Sequence, residues 1–284
     1  MDDSKFLITG AGGQLGLALQ AKYPNARATD SKDLDITNSQ ALAAFDWGNV
    51  TTILNAAAYT DVEGAQTPEG EALAWDVNDK AVGNLAGIVS QKDLTLVHIS
   101  TDYVFDGSKN PHTEDEPFSP LGVYGQTKAA GDMAASKTPK HYIIRTSWVI
   151  GDGKNFVRTM LDLGQRGINP TVVSDQIGRP TFTAQLVNAI DHLLRNQQAF
   201  GIYNVSDSGE PVSWADLARA VFKEAGLANS VTDTTTASYY KDKPQAAPRP
   251  LNSIFDLSKI QATGLKLTDW RDDLAKYIKK ELSK

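Results

Sequence analysis

The sequence predicts an α/β fold in which a doubly wound parallel sheet is joined to a smaller, mixed α/β C-terminal unit. In the first half, short apolar runs alternate with segments of helical spacing, a pattern that is typical of βαβ units. The apolar runs are residues 6–9, 50–55, 94–100 and 142–150. A glycine cluster follows the first run, and the alternation weakens after about residue 151.

Apolar side chains at helical spacing predict the helices that connect and follow these strands. The predicted helices are residues 14–23, 76–91, 184–195 and 212–225. The last of these has a predicted N-cap at Ser213, with the acidic Asp216 three residues later. The tract 232–250 contains a run of threonines and three prolines, so it is either a connecting loop or a mobile lid.

Composition excludes several kinds of chemistry. The chain has 284 residues, no cysteine and a formal net charge of −6. Disulfides, thiolate metal sites and thiol nucleophiles are therefore ruled out. The acidic start lacks a basic, then apolar, signal pattern, and no window approaches the ~20 apolar residues of a membrane span. We therefore expect a cytoplasmic protein with neither a membrane nor a nucleic acid as its main partner.

The glycine cluster predicts a dinucleotide site at the first strand-to-helix turn. Gly10, Gly13 and Gly16 permit a tight turn and close approach of a pyrophosphate to the helix N-terminus, where Gln14 and Leu15 lie. The spacing differs by one residue from G-x-G-x-x-G, and a plain strand-to-helix turn is the alternative interpretation.

Further residues extend the predicted cofactor site. Asp30 directly follows the predicted second strand, 26–29, where an acid can bind the ribose hydroxyls, although a solvated turn residue is the alternative. The neighbouring Arg27 and Lys32 could instead attract a ribose phosphate, which leaves the choice between NADPH and NADH open. The remaining residues expected at the cofactor are Asp35, Ile36, Ala57, Ala58 and Tyr59.

A second set of residues predicts acid catalysis. Tyr124 and Lys128 are four residues apart in a helical segment and therefore share one face. A neighbouring ammonium is expected to lower the tyrosine pKa and to hold the nicotinamide ribose. Thr101 follows a strand and can donate a hydrogen bond to a ketone oxygen. Asp102 and Tyr103 are expected to contact the substrate, with turn chemistry as their alternative role.

Several phrases along nearly the whole chain resemble the extended short-chain dehydrogenase/reductase family, and within it the reductases of dTDP-linked keto sugars. The phrases are residues 8–16, 55–60, 100–107, 123–128, 145–149, 175–181 and 249–253. The resemblance implies a Rossmann-type NAD(P)-binding domain at 1–150, rejoined by about 171–198, and a mainly substrate-binding domain at 151–284.

The resemblance also implies the reaction and the sugar-binding residues. The expected activity is NADPH-dependent reduction of the 4-keto group of dTDP-4-dehydro-L-rhamnose to dTDP-L-rhamnose, with NADH as the other cofactor to consider. Tyr124 is the implied proton donor, and Trp148 would line the sugar pocket. Arg249 and Asn252 would meet the nucleotide part, where Arg249 can serve as a counter-charge for a pyrophosphate.

Two departures from the family pattern bear on local contacts. Residues 60–66 carry altered acids, Glu63 and Gln66, where relatives often have aspartate and glutamate. Relatives with a magnesium-bridged dimer have a glutamate shortly after the glycine loop, where this chain has Leu17 and Ala18. We therefore predict no metal, and the sequence is equally compatible with a monomer and a homodimer.

Other functions fit the same resemblance. A non-catalytic regulatory subunit would bind the dinucleotide without turnover, but the set Thr101, Tyr124 and Lys128 argues against it. An epimerase or dehydratase of the same architecture would need further acid/base groups. Asp102 and Tyr103 do not supply the Asp-Glu pair that is expected of a dehydratase.

Overall fold

The computed structural model of the protein describes residues 1–243 and 245–283. Its strands are β1 (Phe6–Thr9), β2 (Arg27–Thr29), β3 (Thr52–Asn55), β4 (Thr95–Thr101), β5 (His141–Thr146), β6 (Val149–Ile150), β7 (Thr171–Val173), β8 (Ile177–Gly178), β9 (Thr181–Phe182), β10 (Gly201–Asn204), β11 (Val212–Ser213), β12 (Thr232–Thr234) and β13 (Asn252–Ser253). Its helices are α1 (Gln14–Lys22), α2 (Ser39–Ala44), α3 (Pro68–Trp75), α4 (Ala81–Lys92), α5 (Val123–Ala135), α6 (Phe156–Gln165), α7 (Thr183–Arg195), α8 (Trp214–Glu224), α9 (Thr236–Tyr240), α10 (Ser258–Ala262) and α11 (Trp270–Leu282).

A six-stranded parallel sheet organises the molecule, with the strand order β10-β5-β4-β3-β1-β2. The predicted doubly wound α/β fold is therefore confirmed. The chain order reverses beside β1, and ligands of such sheets bind at the carboxyl ends of the strands at this switch point. Thr9, at the end of β1, pairs with Asn55 at the end of β3, which places the following loops side by side.

Helices cover both faces of the sheet because alternate strand residues point to opposite sides. On one face, Ile8 packs with α1 and α7 in a cluster that includes Leu19 and Leu186. On the other face, Leu7 packs with α2, α4 and α5 in a cluster that includes Leu85. The two layers hold the sheet edge rigidly, so residues that follow β1, β3 and β4 can form a site.

A third core cluster lies in the C-terminal half. It joins α6, α8 and α11 through Leu161, Phe222 and Leu274. Ser213 caps α8 through the predicted capping box with Asp216. Strand β10 nevertheless belongs to the central sheet, where it pairs with β5. In sequence it follows directly after the range 171–198, which was expected to rejoin the cofactor-binding domain. The proposed division at about residue 150 stays a prediction.

Three predicted segments differ in detail from the structure. The segment 76–91 begins as a π-helical turn over Asp76–Lys80 and continues as α4. The run 142–150 is two strands, separated at Trp148, whose φ of 50° breaks the extended conformation. The tract 232–250 contains β12 and α9, and its residue Pro244 lies outside the described residues. Among residues 1–243 and 245–283, no helix is both long and apolar enough to span a membrane.

Asp207, just after β10, is a buried acid whose charge opposes folding. Its side chain is fully buried, and its Oδ1 accepts a hydrogen bond from the Phe182 N–H at 3.3 Å. Its Oδ2 has no hydrogen-bond partner within the described part of the chain. Burial, together with the nearby Asp273, raises the pKa of Asp207 to about 9. The folded protein therefore holds a proton that the unfolded chain releases near pH 4.

We expect Asp207→Asn to stabilise the protein progressively as the pH rises. Because the folded pKa lies above the unfolded one, the stability contributed by Asp207 is complete below pH 4 and is lost as the pH rises toward 9. One pKa unit corresponds to about 1.4 kcal/mol, and about 1 kcal/mol shifts Tm by ~2–4 °C in chains of this size. The variant should melt at least ~3 °C above the wild type at pH 8.5, with a smaller difference at pH 5.

The control is Asp162→Asn, which replaces an exposed acid that pairs with Arg166 on α6. Its Tm should follow the wild type within ~1 °C at both pH values, because exposed pairs contribute little. Equal melting temperatures for wild type and Asp207→Asn at pH 8.5 would show that Asp207 is not a protonated buried acid.

Candidate active site

The glycine loop between β1 and α1 forms the floor of the candidate site. Gly10 has a φ of 70°, and a Cβ there would lie 2.5 Å from the Ala57 nitrogen. A Cβ at Gly16 would lie 2.2 Å from the Gly10 carbonyl oxygen, so these two glycines shape the loop itself. Gly13 is the N-cap of α1, where no side chain caps the helix, and Gly12 faces open space. The first N–H groups of α1 are therefore available to an anion.

One part of the cleft lies beside the end of β2. Its volume is about 400 Å³, and its lining includes the predicted residues Gly10, Gly13, Asp30, Asp35, Ile36, Ala57, Ala58 and Tyr59. Asp30 is exposed and accepts a hydrogen bond from the Lys32 N–H at 2.8 Å. Arg27 points elsewhere, because its guanidinium stacks on Phe45 at 3.9 Å. Within the described residues, no lysine or arginine lines this part of the cleft.

The second part of the cleft lies at the end of β4 and has a volume of about 660 Å³. Its lining includes the predicted residues Gly13, Gln14, Leu15, Thr101, Asp102, Tyr103, Tyr124, Lys128 and Trp148. Gly12, Gly13, Ala56 and Ala58 line both parts, so the two form one continuous cleft. The Gln14 carboxamide also accepts a hydrogen bond from the Gly151 N–H at 2.8 Å, which ties the glycine loop to the segment after β6.

The structure brings the three predicted catalytic residues together. Thr101 ends β4, and Tyr124 and Lys128 lie one turn apart on α5. Both Tyr124 and Thr101 line the second part of the cleft, and the Thr101 side chain lowers the pKa of Tyr124. Lys128 is buried and donates from Nζ to the Ile99 carbonyl at 2.6 Å. This bond anchors α5 against the end of β4.

The pKa values of Tyr124 and Lys128 differ from the expectation that the lysine lowers the pKa of the tyrosine. Burial raises the pKa of Tyr124 above its usual value, and this effect outweighs the bond from Thr101. Burial lowers the pKa of Lys128 to about 8. The net lowering of the tyrosine pKa that the sequence predicted does not occur, because the effect of burial dominates. Tyr124 is a neutral phenol at pH 7, which is the form that can donate a proton.

Asp102 and Tyr103 lie beside this group. Asp102 is buried and accepts hydrogen bonds from Thr101 Oγ1 at 3.0 Å and from the Ser253 hydroxyl. Burial raises the pKa of Asp102 to about 6, against the lowering effect of those two hydroxyls. The Tyr103 ring packs edge-on against the Tyr124 ring, with their centroids 5.4 Å apart. Asp102 therefore orients Thr101, and Tyr103 fixes the position of the phenol.

Trp148 forms a wall of the cleft opposite the glycine loop. Its φ of 50° is rare for a bulky side chain and is a form of backbone strain that often marks functional sites. The indole stacks on Trp214, with the ring centroids 3.6 Å apart. Its other neighbour is Gly178, where a Cβ would lie 2.9 Å from the indole. Trp214, which supports the Trp148 indole and lines a neighbouring cavity, is a residue that the sequence analysis missed.

Arg249 lies in an adjoining aromatic cavity of about 400 Å³, whose lining includes Tyr103, Trp214, Tyr239 and Tyr240. Its guanidinium pairs with Glu63 and stands 4.9 Å from the centre of the Tyr240 ring. Glu63 also accepts a hydrogen bond from the Ala247 N–H at 2.9 Å. The altered acid of the 60–66 stretch thus has a defined role, which is to hold Arg249 in place.

The structure does not bring the Asn252 side chain into the cleft. Its amide donates to the Lys109 carbonyl and accepts from the Ile254 N–H at 3.0 Å, so it shapes the local loop. The adjacent Ser253 reaches Asp102 instead. The 249–253 phrase runs beside the cleft, and because successive residues of β13 point in opposite directions, Ser253 and not Asn252 reaches Asp102.

Asn78 is a second residue that sequence reasoning missed. It lies in the π-helical turn, and its amide bonds to both the N–H and the carbonyl of Tyr59, at 2.9 and 3.1 Å. It also donates to Thr127 Oγ1 at 3.1 Å. Asn78 therefore joins the loop after β3 to α5. Within residues 1–243 and 245–283, no group of three or more His, Cys, Asp or Glu side chains could hold a metal ion.

A continuous cleft at the switch point of a doubly wound sheet, with Thr101, Tyr124 and Lys128 at one end and a glycine loop as its floor, defines a short-chain dehydrogenase/reductase of the extended type. The comparison with known proteins narrows this class. The family model of the RmlD substrate binding domain matches residues 4–283, and the chain belongs to that family.

Several relatives of this chain are reductases by name. The dTDP-4-dehydrorhamnose reductase of Aggregatibacter actinomycetemcomitans is 40% identical over 291 residues, which cover 94% of this chain and 96% of that protein. A crystal structure of a dTDP-4-dehydrorhamnose reductase from Clostridium acetobutylicum has a TM-score of 0.89 and 35% identity, with 98% and 99% coverage. The enzyme of that name from Bacillus anthracis, solved in complex with NADP, has a TM-score of 0.89 and 33% identity, with 97% and 98% coverage.

We expect Gly10→Ala to weaken dinucleotide binding strongly. The added methyl would meet the backbone of Ala57, so either the glycine loop or the loop after β3 must move away from the cleft. Fluorescence titration with NADPH should show an affinity loss of at least ~10-fold, since even about 1.4 kcal/mol corresponds to a tenfold change.

The matched control is Gly83→Ala on α4, where a Cβ meets nothing within 4 Å. This variant should bind NADPH as the wild type does and should be slightly stabilised, by about 0.5–1 kcal/mol. Wild-type affinity in a folded Gly10→Ala protein would mean that the glycine loop does not contact the dinucleotide.

Proposed function

We propose that this protein is an NADPH-dependent reductase that converts the 4-keto group of dTDP-4-dehydro-L-rhamnose to the alcohol of dTDP-L-rhamnose. The observation that carries the proposal is the meeting of Thr101, Tyr124 and Lys128 in a cleft continuous with the glycine loop. The names of the relatives support the sugar, and the NADP complex of one relative supports the cofactor.

The residues of the cleft fit a dinucleotide. The uncapped N-terminus of α1 at Gly13 suits the pyrophosphate, and Asp30 suits the adenosine ribose. Asp30 also repels a 2′-phosphate, and Arg27 is engaged with Phe45, so NADH stays a second cofactor to be tested. When bound, NADPH supplies the hydride that adds to the keto carbon of the sugar.

The protein's own contribution is to position and protonate the ketone. Tyr124 donates its proton to the oxygen as negative charge develops there, while the Thr101 hydroxyl hydrogen-bonds the same oxygen. The Lys128 ammonium lies beneath them and stabilises the phenolate that remains after the transfer. The Thr101 hydroxyl has one proton, which it donates to Asp102 Oδ1 at 3.0 Å in this structure, so it must turn away from Asp102 to donate to the ketone.

The nucleotide part of the substrate fits the adjoining aromatic cavity. Tyr239 and Tyr240 offer ring faces for a base, and Arg249 offers charge for the diphosphate. Trp148 lies between this cavity and the catalytic group, against Trp214, and would cover the sugar. Asn252 would act only indirectly, through the loop that carries Ser253.

The remaining proposals concern organisation and location. We place the cofactor mainly on residues 1–150 and the substrate mainly on residues 151–284, in line with the third core cluster of the C-terminal half. The protein would work in the cytoplasm, since a chain without cysteine suits a reducing compartment, and as a monomer or a homodimer. Sedimentation of the purified protein would decide between these two states.

The direct test follows NADPH and NADH absorbance with dTDP-4-dehydro-L-rhamnose and with other dTDP-keto sugars. We expect NADPH oxidation with the rhamnose precursor, and we expect Tyr124→Phe to reduce kcat by ~100-fold or more, because a positioned acid contributes about that much. NADPH affinity should change little. Turnover of Tyr124→Phe within about threefold of the wild type would refute the proton-donor role.

The same assay separates the alternatives. Tight dinucleotide binding without cofactor oxidation by any keto sugar would identify a regulatory subunit. Conversion of the sugar without net cofactor consumption would identify an epimerase. Faster turnover with a different keto sugar would keep the reductase chemistry and correct only the substrate.

We expect kcat/KM to fall as the pH rises through about 8. Burial lowers the pKa of Lys128 to about 8, so its ammonium is present below that pH and is lost above it. Tyr124 stays protonated over the same range, since its pKa is raised. A pH profile from 6 to 10 should therefore show one alkaline limb near pH 8, and Lys128→Arg should remove that limb because arginine does not titrate there. An unchanged limb in Lys128→Arg would assign it to another group.

A further inference from the structure

Beneath Lys128 lies a buried ion pair that the mechanism above does not use. Asp132 follows Lys128 by one turn of α5, and its side chain is 1% exposed. Arg145, on β5, donates from Nε to Asp132 Oδ2 at 3.1 Å and from Nη1 to the Glu114 carbonyl at 3.0 Å. Its guanidinium also lies between the rings of two phenylalanines, Phe105 and Phe118, 5.1 Å from each. The arginine is therefore fixed, and it fixes one oxygen of the carboxylate.

The other carboxylate oxygen is free of direct bonds. Asp132 Oδ1 has no hydrogen-bond partner among residues 1–243 and 245–283, and His98 Nε2 lies 3.7 Å from it. Burial, together with the nearby Lys128, holds the pKa of His98 well below its usual value, so this imidazole is neutral. Burial raises the pKa of Asp132, whereas the Arg145 guanidinium and, to a smaller degree, the Ser100 hydroxyl on β4 favour the carboxylate and oppose this rise. The carboxylate thus has no second cation on the sheet side.

We infer that Asp132 is a positioning residue for the proposed reaction, because its buried carboxylate, held in place by Arg145, keeps Lys128 in the ammonium form beneath Tyr124. The catalytic consequence rests on the proposed function, but the effect on Lys128 belongs to the chain alone.

The charges around Lys128 support this role. Burial alone drives a lysine toward the neutral amine. Asp132 is the charged group that opposes burial and raises the pKa of Lys128. Tyr124, on the same helix, is neutral, and so is His98, on β4. Arg145, on β5, is already bound to the carboxylate.

The separation by one helical turn is what makes the arrangement useful. A carboxylate in direct contact would draw Lys128 Nζ away from the Ile99 carbonyl, where it is held at 2.6 Å next to the cleft. From one turn away, Asp132 acts through its field in a poorly screened interior without competing for that position. The Lys128 ammonium therefore stays bound to the Ile99 carbonyl and stays protonated.

The first test measures the charge of Lys128 without substrate or cofactor. Pulse labelling of the full-length protein with acetic anhydride across pH 6–10, followed by mass spectrometry of the peptide that contains Lys128, gives its titration midpoint. We expect a midpoint near pH 8 in the wild type. In Asp132→Asn it should fall by at least one pH unit, a tenfold loss in the ratio of ammonium to amine. Asp132→Glu should restore it to within about 0.3 units.

The second test uses the alkaline limb of kcat/KM, which should move down by the same amount in Asp132→Asn and return in Asp132→Glu. Because Asp132→Asn leaves Arg145 buried without its partner, the double replacement Asp132→Asn/Arg145→Gln removes both charges and serves if the single variant does not fold. The control is Asp273→Asn, another buried acid, which pairs with Lys276 on α11. Neither residue lines the cleft, so this variant should leave the limb in place.

The outcomes separate the two claims. Absence of turnover in the wild type would refute the proposed function, while a shifted labelling midpoint would still uphold the inference about Asp132. A folded Asp132→Asn protein, or the folded double variant, with an unshifted midpoint would overturn the inference. In that case the ion pair would serve only to hold α5 against β5, whatever its effect on kcat.

Discussion

The hydrogen bond from Lys128 Nζ to the Ile99 carbonyl is the contact on which the site depends. It joins helix α5 to the end of strand β4. A lysine can be buried there only because the Ile99 carbonyl and the nearby Asp132 stabilise its positive charge. With α5 fixed in this way, Tyr124 lies at the cleft beside Thr101. The position of every other catalytic group follows from the register of these two elements.

Much of the fold and about half of the site can be predicted from patterns of residues that lie close together in the sequence. The end of β1, the glycine loop and the pair Tyr124 and Lys128 are recognisable because each depends on residues close together in the chain. The π-helical turn at Asp76–Lys80 was not predictable, since its apolar spacing resembles that of an α-helix and its purpose, to present Asn78 to Tyr59 and Thr127, involves distant partners. Trp214, Ser253 and the partner of Arg249 were missed for the same reason.

Protonation was the least predictable property. Spacing on a helix correctly placed Lys128 near Tyr124, but the sign of the effect on the phenol depends on burial, which a sequence motif does not report. In the folded protein, burial raises the pKa of Tyr124 and lowers that of Lys128, so the proton rests on the phenol. For an enzyme that works in the direction of reduction, this resting state already holds the proton that must be delivered.

The pairing of Arg249 with Glu63 affects which ligands can bind well. An arginine that is already paired with a carboxylate contributes little binding energy to a weakly charged ligand, because the new contact is offset by the loss of the existing ion pair. A ligand group with two negative charges can displace the Glu63 carboxylate from Arg249. Because the Glu63 side chain is half exposed, water can then solvate it at a small cost in free energy. The exchange therefore favours ligands that carry two negative charges over neutral sugars, and a pre-existing internal partner sets a minimum charge that a ligand must have to bind Arg249 well.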